Sequence, residues 1–282
     1  MIRASAYAAA SPLAERFAAL LPKRPVIYNL GSEFGRTFRA LAPVINRAQA
    51  WIFVERDTRQ LGLALDAAAG WAEEQGWTVT WPGRALLLHR PGGAWRIEGL
   101  VVDLDETPPE QISRGDAVVS GAFLPGVSAS WVGRFAAMLR RPLLVSGLTD
   151  GRIAWQPGDP ADRAVLHCWR RSLSRRDDNG WVLGADAASV LRRALSTHGF
   201  TAATAPAPHQ FAKTSPLVAG LVADVASKAR GGAGADTQRI AGWANRRGRL
   251  ALQGRLACRV GHSDLLAWRP DMNRGERATS SG

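Results

Sequence analysis

The stretch Val26-Ile27-Tyr28-Asn29-Leu30-Gly31-Ser32-Glu33-Phe34-Gly35 decides the fold of this chain. An apolar run that ends in a turn with two glycines, directly before a helical pattern, is typical of a strand, turn and helix that bind a nucleotide. Gly31 lets the backbone leave the strand, and Gly35 allows close approach of a helix or ligand. The pattern predicts a helix over 36–41 that aims free N–H groups at the ligand and ends at Pro43.

A second apolar run follows and ends in an acidic residue. Residues 50–54 read Ala-Trp-Ile-Phe-Val and predict a buried strand, with Glu55 directly after it. A carboxylate at this point can accept both hydroxyls of a ribose. Asp57, two residues on, is the second candidate for that contact. The glycine turn and the acidic strand end together predict a nucleotide site.

These residues resemble a known family. The stretches 29–35, 38–43 and 54–57 are similar to the first two motifs of class I (Rossmann-like) S-adenosylmethionine-dependent methyltransferases. The family pattern is acidic-x-Gly-x-Gly-x-Gly, and this chain has Asn29 at the acidic position and Glu33 at the middle glycine. Asn29 keeps an amide oxygen for the amino group of the cofactor, and Glu33 offers a carboxylate from another position. The resemblance implies S-adenosyl-L-methionine as cofactor.

The resemblance also implies the cofactor-binding residues. Asp103 follows the predicted strand over 100–102, where the family places a residue that meets adenine, although it also reads as an ordinary solvated carboxylate. Residues 116–123 resemble the fourth motif, whose small residues let the backbone approach the cofactor. The predicted cofactor-binding set is Asn29, Gly31, Ser32, Glu33, Gly35, Glu55, Asp103, Ser120, Gly121 and Ala122.

The order of apolar runs and helical patterns predicts an α/β fold. With the resemblance, we expect a doubly wound, mostly parallel seven-stranded sheet with an antiparallel last strand, a hairpin insertion over 77–89 and a helical cap. We expect one domain over 1–270, a cap insertion at about 155–198 and a disordered tail over 271–282. A strand over 142–148 should turn at 150–151, and the last strand should be interrupted over 260–264.

The connection after the fifth strand is too long for one crossover helix, which suggests a cap over an acceptor site. Its arginines lie near tryptophans, so they can pair with acidic groups and stack on a ring, or simply form a solvated face. The predicted acceptor set is Trp169, Arg170, Arg171, Arg175 and Arg176. A small, anionic acceptor is therefore expected.

No residue stands out as a catalytic acid or base. Among five histidines, His167 and His262 are candidates for a general base, although either can be structural. No histidine spacing suits a metal, and the two cysteines form neither a metal motif nor a disulfide framework, which fits a reducing cytoplasm. We expect no signal peptide and no membrane span.

The formal charge of +12 is concentrated in the second half of the chain. Residues 1–150 carry 16 Lys and Arg against 14 Asp and Glu, whereas residues 151–282 carry 20 against 10. A basic half can indicate a nucleic-acid (RNA) methyltransferase or an RNA-binding protein. The near absence of lysine also fits the arginine-rich composition that a GC-rich genome produces.

The same residues leave other functions open or exclude them. A degenerate, non-catalytic cofactor-binding or scaffold protein is an alternative, because two motif positions depart from the family. A nicotinamide dehydrogenase is disfavoured, since Ser32, Glu33 and Phe34 stand where its turn requires glycine. A serine hydrolase is excluded because the near match over 126–130 lacks the final glycine. The leading prediction is methyl transfer to a small molecule.

Overall fold

The computed structural model describes residues 11–104, 108–121, 123–174, 176–177, 180–232 and 234–270. The expected tail over 271–282 lies outside the described residues. The helices are α1 Ala14–Ala19, α2 Arg36–Ile45, α3 Thr58–Glu74, α4 Ala129–Met138, α5 Asp162–Leu173, α6 Ala187–Thr197, α7 Leu217–Arg230 and α8 Thr237–Leu252. The strands are β1 Val26–Leu30, β2 Gln49–Glu55, β3 Thr78–Thr80, β4 Leu86–Arg90, β5 Gly93–Val101, β6 Ala117–Ser120, β7 Leu143–Gln156, β8 Arg176–Asp177, β9 Gly180–Trp181, β10 Thr201–Pro206, β11 His209–Phe211 and β12 Ala257–Trp268.

The main sheet has ten strands within the described residues. Its seven-stranded centre has the order β10-β12-β7-β6-β1-β2-β5, and β4 and β3 extend it as the expected hairpin insertion. Neighbours from β7 to β5 run parallel, whereas β12 lies antiparallel between β10 and β7. The predicted fold class is confirmed. The strand order reverses between β1 and β6, and open parallel sheets bind ligands at such a point.

Strand β1 is central because both of its faces are buried. Ile27 packs into one hydrophobic cluster with α1, α2 and α3, and Leu30 packs into a second cluster with α4 and α6. A strand buried on both faces is a continuous apolar run rather than an alternating one. This is why residues 26–30 could be assigned from sequence.

Aromatic rings pack the hairpin against α2 and α3. The Phe38 ring meets the edges or faces of Trp51, Trp71 and Trp95 at centroid distances of 5.2 to 5.9 Å. Trp77, just before β3, contacts Trp95 at 5.1 Å. Edge-to-face pairs of this kind add to the energy of burial. The hairpin is thus part of the core and not a loose extension.

Strand β7 does not turn at Asp150-Gly151, so that expectation was wrong. It continues to Gln156 and remains paired with β12, with Gly147 and Gly151 at positive φ. The expected interruption of β12 is seen as register shifts between Val260 and His262 and between Ser263 and Leu265. Irregular pairing lets both strands bend without separating. The two strands therefore extend past the edge of the parallel sheet.

The expectation that Pro43 ends α2 was also wrong. The helix includes Pro43 and ends after Ile45, where Asn46 has a φ of 50°. Proline removes only one helical N–H bond, and here just two further residues follow it. The burial of Leu41 and Ile45 in the first cluster holds the last turn in place.

Helices α5, α7 and α8 cover the extension of β7 and β12. They form a third hydrophobic cluster around Trp155, Val165, Val222 and Trp243. The segment expected to be a cap is divided: α5 belongs to this cluster, whereas α6 packs on α4 in the second cluster. A cap over the site thus stays a prediction.

The structure also bears on membrane spans and on the two cysteines. No helix in the described part of the chain is long and apolar enough to cross a membrane. Cys168 and Cys258 are buried, free thiols. Burial raises the pKa of the Cys258 thiol to about 12, so it is a poor nucleophile at neutral pH.

A buried ion pair should contribute strongly to the stability of the third cluster. Arg247 is fully buried and donates to the Asp162 carboxylate and to the Pro157 carbonyl. Removing one partner of such a pair leaves an uncompensated charge in the protein interior. We expect Arg247→Ala to lower the free energy of unfolding by about 3 to 5 kcal/mol, measured by urea denaturation.

The matched control is its neighbour Arg246, which is half exposed and pairs with Asp159 at 2.8 Å. Arg246→Ala should cause a much smaller loss because solvent screens an exposed pair. Equal losses in the two variants would show that the buried pair has no special role.

Candidate functional site

The glycine turn leaves β1 at the point where the strand order reverses. Gly31 has a φ of 66° and donates its N–H to the Val54 carbonyl at 3.0 Å, so the turn bends towards β2. A Cβ placed on Gly31 would lie 2.8 Å from the Cβ of Phe123. Any larger residue would therefore clash as well as adopt an unfavourable backbone angle.

The predicted carboxylate at the end of β2 holds this turn. Glu55 is 8% exposed, and its Oε1 accepts hydrogen bonds from the Ser32 amide and the Ser32 hydroxyl, each at 2.7 Å. Ser32 and Glu55, which are both in the predicted cofactor-binding set, are thus in direct contact. Because Oε1 is occupied twice, Oε2 is the oxygen that remains for a ligand. Asp57 instead caps α3, accepting from the amides of Arg59 and Gln60.

Glu33 and Phe34 continue the turn in the left-handed region, with φ angles of 49° and 57°. Residues other than glycine adopt this region at a cost of about 1 to 2 kcal/mol each. The Glu33 carboxylate pairs with Arg36 and lies against Gly121, where it occupies the space that a Cβ would need. Gly35 then begins α2 with a φ of 70°. The predicted set 31–35 and Gly121 therefore lies together.

Asn29 is fully buried, and neither its amide nitrogen nor its amide oxygen has a hydrogen-bond partner within the described residues. An unpaired buried amide costs free energy that a ligand could recover. The residues paired with Asn29 on the two adjacent strands, Phe53 of β2 and Val119 of β6, are apolar. The position that departs from the family motif is thus polar but unsatisfied.

The remaining predicted cofactor residues occupy different environments. Ser120 is buried and donates its hydroxyl to the Leu30 carbonyl at 3.0 Å, which joins β6 to β1. Asp103 is exposed, two residues after β5. Ala122 lies outside the described residues. Among the described residues of this set, Asp103 is thus exposed, whereas Ser120 is buried in the sheet.

A cavity of about 320 Å³ opens beside the turn, on the side of β7 and β12. Glu33, Arg36 and Gly121 form the wall that it shares with the turn, and α2 supplies Thr37 and Leu41. The opposite wall consists of Ser11, Ser146, Gly147, residues 206–209 and Asp264. Glu55, Ser32 and Asp103 do not line it. The cavity and the acidic end of β2 thus lie on either side of the glycine turn.

Asp264 is the buried carboxyl group of this cavity, at 2% exposure. Its Oδ1 accepts the Gly147 amide at 2.8 Å, and the Ser11 hydroxyl also bonds to the carboxyl group. Burial raises its pKa, an effect that these two hydrogen bonds oppose. Sequence analysis missed Asp264. The only signal was the interruption expected over 260–264, which is the register shift that accompanies it.

The two histidine candidates are placed differently. His167 is exposed on α5, away from the cavity. His262 is half-buried and lines a second cavity of about 360 Å³ with Asp150 and Arg192. Its ring contacts that of His209, a wall residue of the first cavity, at a centroid distance of 4.6 Å. Burial lowers the pKa of both imidazoles, that of His209 to about 3.

The predicted acceptor residues do not line the first cavity. Trp169 is buried in the third cluster, while Arg170 and Arg171 are exposed on α5. The stem of Arg170 packs over Gly151. Arg175 lies outside the described residues, and so does the side chain of Arg176. Within the described residues no group of His, Cys, Asp and Glu is arranged to hold a metal ion.

No family model matches the chain, and no curated protein matches its sequence. In overall structure it is similar to the 4+2 cyclase SpnF, at a TM-score of 0.42 and 15% identity over 92% of this chain and 80% of that one. It is also similar to an S-adenosylmethionine-dependent methyltransferase from Geobacter sulfurreducens (TM-score 0.41, 11% identity, 92% of each chain). With the cyclopropane synthase MmaA2 from Mycobacterium tuberculosis, the TM-score is 0.41 and the identity is 14%, over 90% of this chain and 82% of that one. The strand order given above is itself that of the class I methyltransferase fold.

The bond between Glu55 and Ser32 should be needed for the stability of the turn. Glu55→Ala removes the acceptor of two buried hydrogen bonds to a charged group, so the free energy of unfolding should fall by about 3 kcal/mol. Asp57→Ala is the control, because it removes only a helix cap and should cost about 1 kcal/mol. Both are measured by chemical denaturation. A smaller loss for Glu55→Ala than for Asp57→Ala would contradict this role.

Proposed function

We propose that this chain binds S-adenosylmethionine at the glycine turn and transfers its methyl group to a small molecule. The observation that carries the proposal is the bond between Ser32 and Glu55, at adjacent strand ends beside the point where the strand order reverses. An oxygen-rich strand end next to a glycine turn suits a nucleoside. The antiparallel β12, which the resemblance led us to expect, separates this fold from a nicotinamide-binding one.

Several residues would hold the cofactor. Oε2 of Glu55 would accept a ribose hydroxyl, and Asp103 would meet the adenine amino group. The unsatisfied amide of Asn29 suits a polar part of the cofactor, since a bond there would remove a cost of burial. When bound, the cofactor supplies a methyl group that is already electrophilic, so the protein mainly has to align the acceptor and exclude water.

Two side chains cover the glycines that the cofactor would approach. Phe123 lies on Gly31, and the Glu33 carboxylate lies on Gly121. Rotation about the χ angles of Glu33 can move its carboxylate off Gly121, whereas the Cβ of Phe123 is fixed by the backbone and stays beside Gly31. Cofactor binding in this proposal therefore requires the Glu33 side chain to turn away from Gly121.

The alternatives differ in what they require of the protein. A scaffold protein would keep the fold without binding the cofactor. An RNA methyltransferase would need free basic groups, and part of the basic second half is taken up by pairs such as Arg246 with Asp159 and Arg247 with Asp162. An anionic acceptor held by α5 and a cytoplasmic location stay predictions.

Calorimetry with S-adenosylhomocysteine and with NAD tests the proposal. We expect the wild-type chain to bind S-adenosylhomocysteine and not NAD, and we expect Glu55→Gln to weaken binding by about 1 to 3 kcal/mol. Asp57→Asn is the matched control and should leave the affinity unchanged. No binding at millimolar concentration would favour the scaffold alternative, and preferential binding of NAD would overturn the assignment of cofactor.

Glu33 has two possible effects on cofactor binding, and one substitution separates them. If its carboxylate mainly blocks Gly121, Glu33→Gly should tighten S-adenosylhomocysteine binding by about 1 kcal/mol, because no side chain then has to be displaced from Gly121 on binding. If the carboxylate instead binds the amino group of the cofactor, the same change weakens binding. We expect the first result, since Glu33 already pairs with Arg36. Thr58→Gly, at the exposed start of α3, controls for added backbone freedom.

A further inference from the structure

The cavity beside the turn contains a carboxyl group that the arrangement described so far leaves without a function. Asp264 is buried in its wall, and the nearby register shift in β12 distinguishes this position from regular pairing with β7. Its hydrogen bonds come from the Gly147 amide and the Ser11 hydroxyl, both of which are neutral. It makes no ion pair in the part of the chain that the structure describes. Burying a carboxyl group without a cation is costly, and such groups in a cavity are candidates for functional sites.

The other charged groups of the cavity do not compensate Asp264. Arg36 pairs with Glu33 in the opposite wall. The low pKa of His209, which burial causes, keeps its imidazole neutral at physiological pH. Once Asp264 is ionised, the charged side chains that line the cavity within the described residues are therefore two carboxylates and one guanidinium. An anion entering it would face net repulsion, whereas an amine or a hydroxyl would find an acceptor.

The position of the cavity suits an acceptor and not the nucleoside. It is bounded by β6, β7, β10 and β12, on the opposite side of the strand reversal from Glu55. It shares Glu33 and Gly121 with the turn where we place the cofactor. A molecule bound here would thus lie next to the cofactor without competing for the strand ends of β1, β2 and β5.

We propose that this cavity binds the methyl acceptor, that the acceptor presents an amine or hydroxyl group to Asp264, and that Asp264 takes the proton released by methylation. The inference rests on the proposed function. A lone pair of the acceptor nitrogen or oxygen forms the bond to the methyl carbon, and the pair of the broken carbon–sulfur bond stays on sulfur. The N–H or O–H bond then breaks, and its proton passes to the carboxylate of Asp264.

The environment of Asp264 supports this role. Because burial raises the pKa of its carboxyl group, its carboxylate is a stronger base than an exposed aspartate. The Gly147 amide fixes one oxygen, so the carboxylate has a defined orientation before the acceptor enters. The exposed arginines of α5 lie elsewhere, so the chemistry of the cavity points to a neutral or cationic acceptor and not to an anion.

Three small compounds that share a phenyl ring and differ in their polar group test which polar group the cavity prefers. Benzylamine, benzyl alcohol and benzoate are titrated into the full-length protein saturated with S-adenosylhomocysteine, and binding is measured by calorimetry and ligand-observed NMR. We expect the amine and the alcohol to bind about tenfold or more tightly than benzoate, because only benzoate brings a negative charge to Asp264.

The variant Asp264→Asn and its matched control Asp150→Asn test whether Asp264 causes this preference for the amine and the alcohol. Asp150 lies on the paired strand and lines the second cavity. Asp264→Asn should weaken benzylamine binding about tenfold or more, since it removes the charged acceptor, while Asp150→Asn should change it less than about twofold. The affinity for S-adenosylhomocysteine should be the same in all three proteins.

Three results would overturn the inference: benzoate binding most tightly, no probe binding to a protein that binds S-adenosylhomocysteine, or equal effects of the two variants. If Asp264→Asn does not fold, the order of the probes on the wild-type protein still decides. Failure to bind S-adenosylhomocysteine would instead contradict the proposed cofactor, so the two proposals fail in different measurements.

Discussion

The bond between Glu55 and Ser32 is the interaction on which the edge of the sheet depends. One carboxylate oxygen accepts both the amide and the hydroxyl of Ser32, so the turn that leaves β1 is fixed to the end of β2. Without it, two buried donors would lack partners, a loss that packing alone does not recover. The Ser120 hydroxyl fixes β6 to the Leu30 carbonyl in the same way. Three strand ends are thus held by side-chain bonds where the strand order reverses.

The fold could be predicted because its central strands carry their own signal. Residues 26–30, apart from Asn29, and residues 50–54 are apolar, and each run is followed by a residue whose chemistry marks a strand end. The predicted ends of α2 and of the strand over 142–148 were wrong, because tertiary contacts there override the local preference of the sequence. Pro43 should end a helix, yet burial of Leu41 and Ile45 extends it by two residues. Asp150-Gly151 should end the strand, but β7 pairs with β12 on both sides of it, at Thr149 and Ile153, so the bend is a bulge within the strand.

The candidate site was less predictable, since half of it is assembled from distant residues. Glu55 could be identified because it follows an apolar strand. Asp264 could not, because its partner Gly147 is 117 positions away and the contact depends on irregular pairing. The arginines beside Trp169 illustrate the opposite difficulty. Neighbours on a helix point about 100° apart, so Trp169 enters the third cluster while Arg170 faces solvent.

Glu33 connects the two parts of the site. It stands where the family has glycine, and its left-handed backbone is costly for a residue with a Cβ. That cost persists because Gly31 and Gly35 on either side absorb the bend and because Arg36 holds the carboxylate. The same carboxylate lies on Gly121 and lines the cavity that contains Asp264. A movement of Glu33 away from Gly121 would therefore also change the cavity, so in the proposed function one side chain would couple the cofactor and acceptor sites.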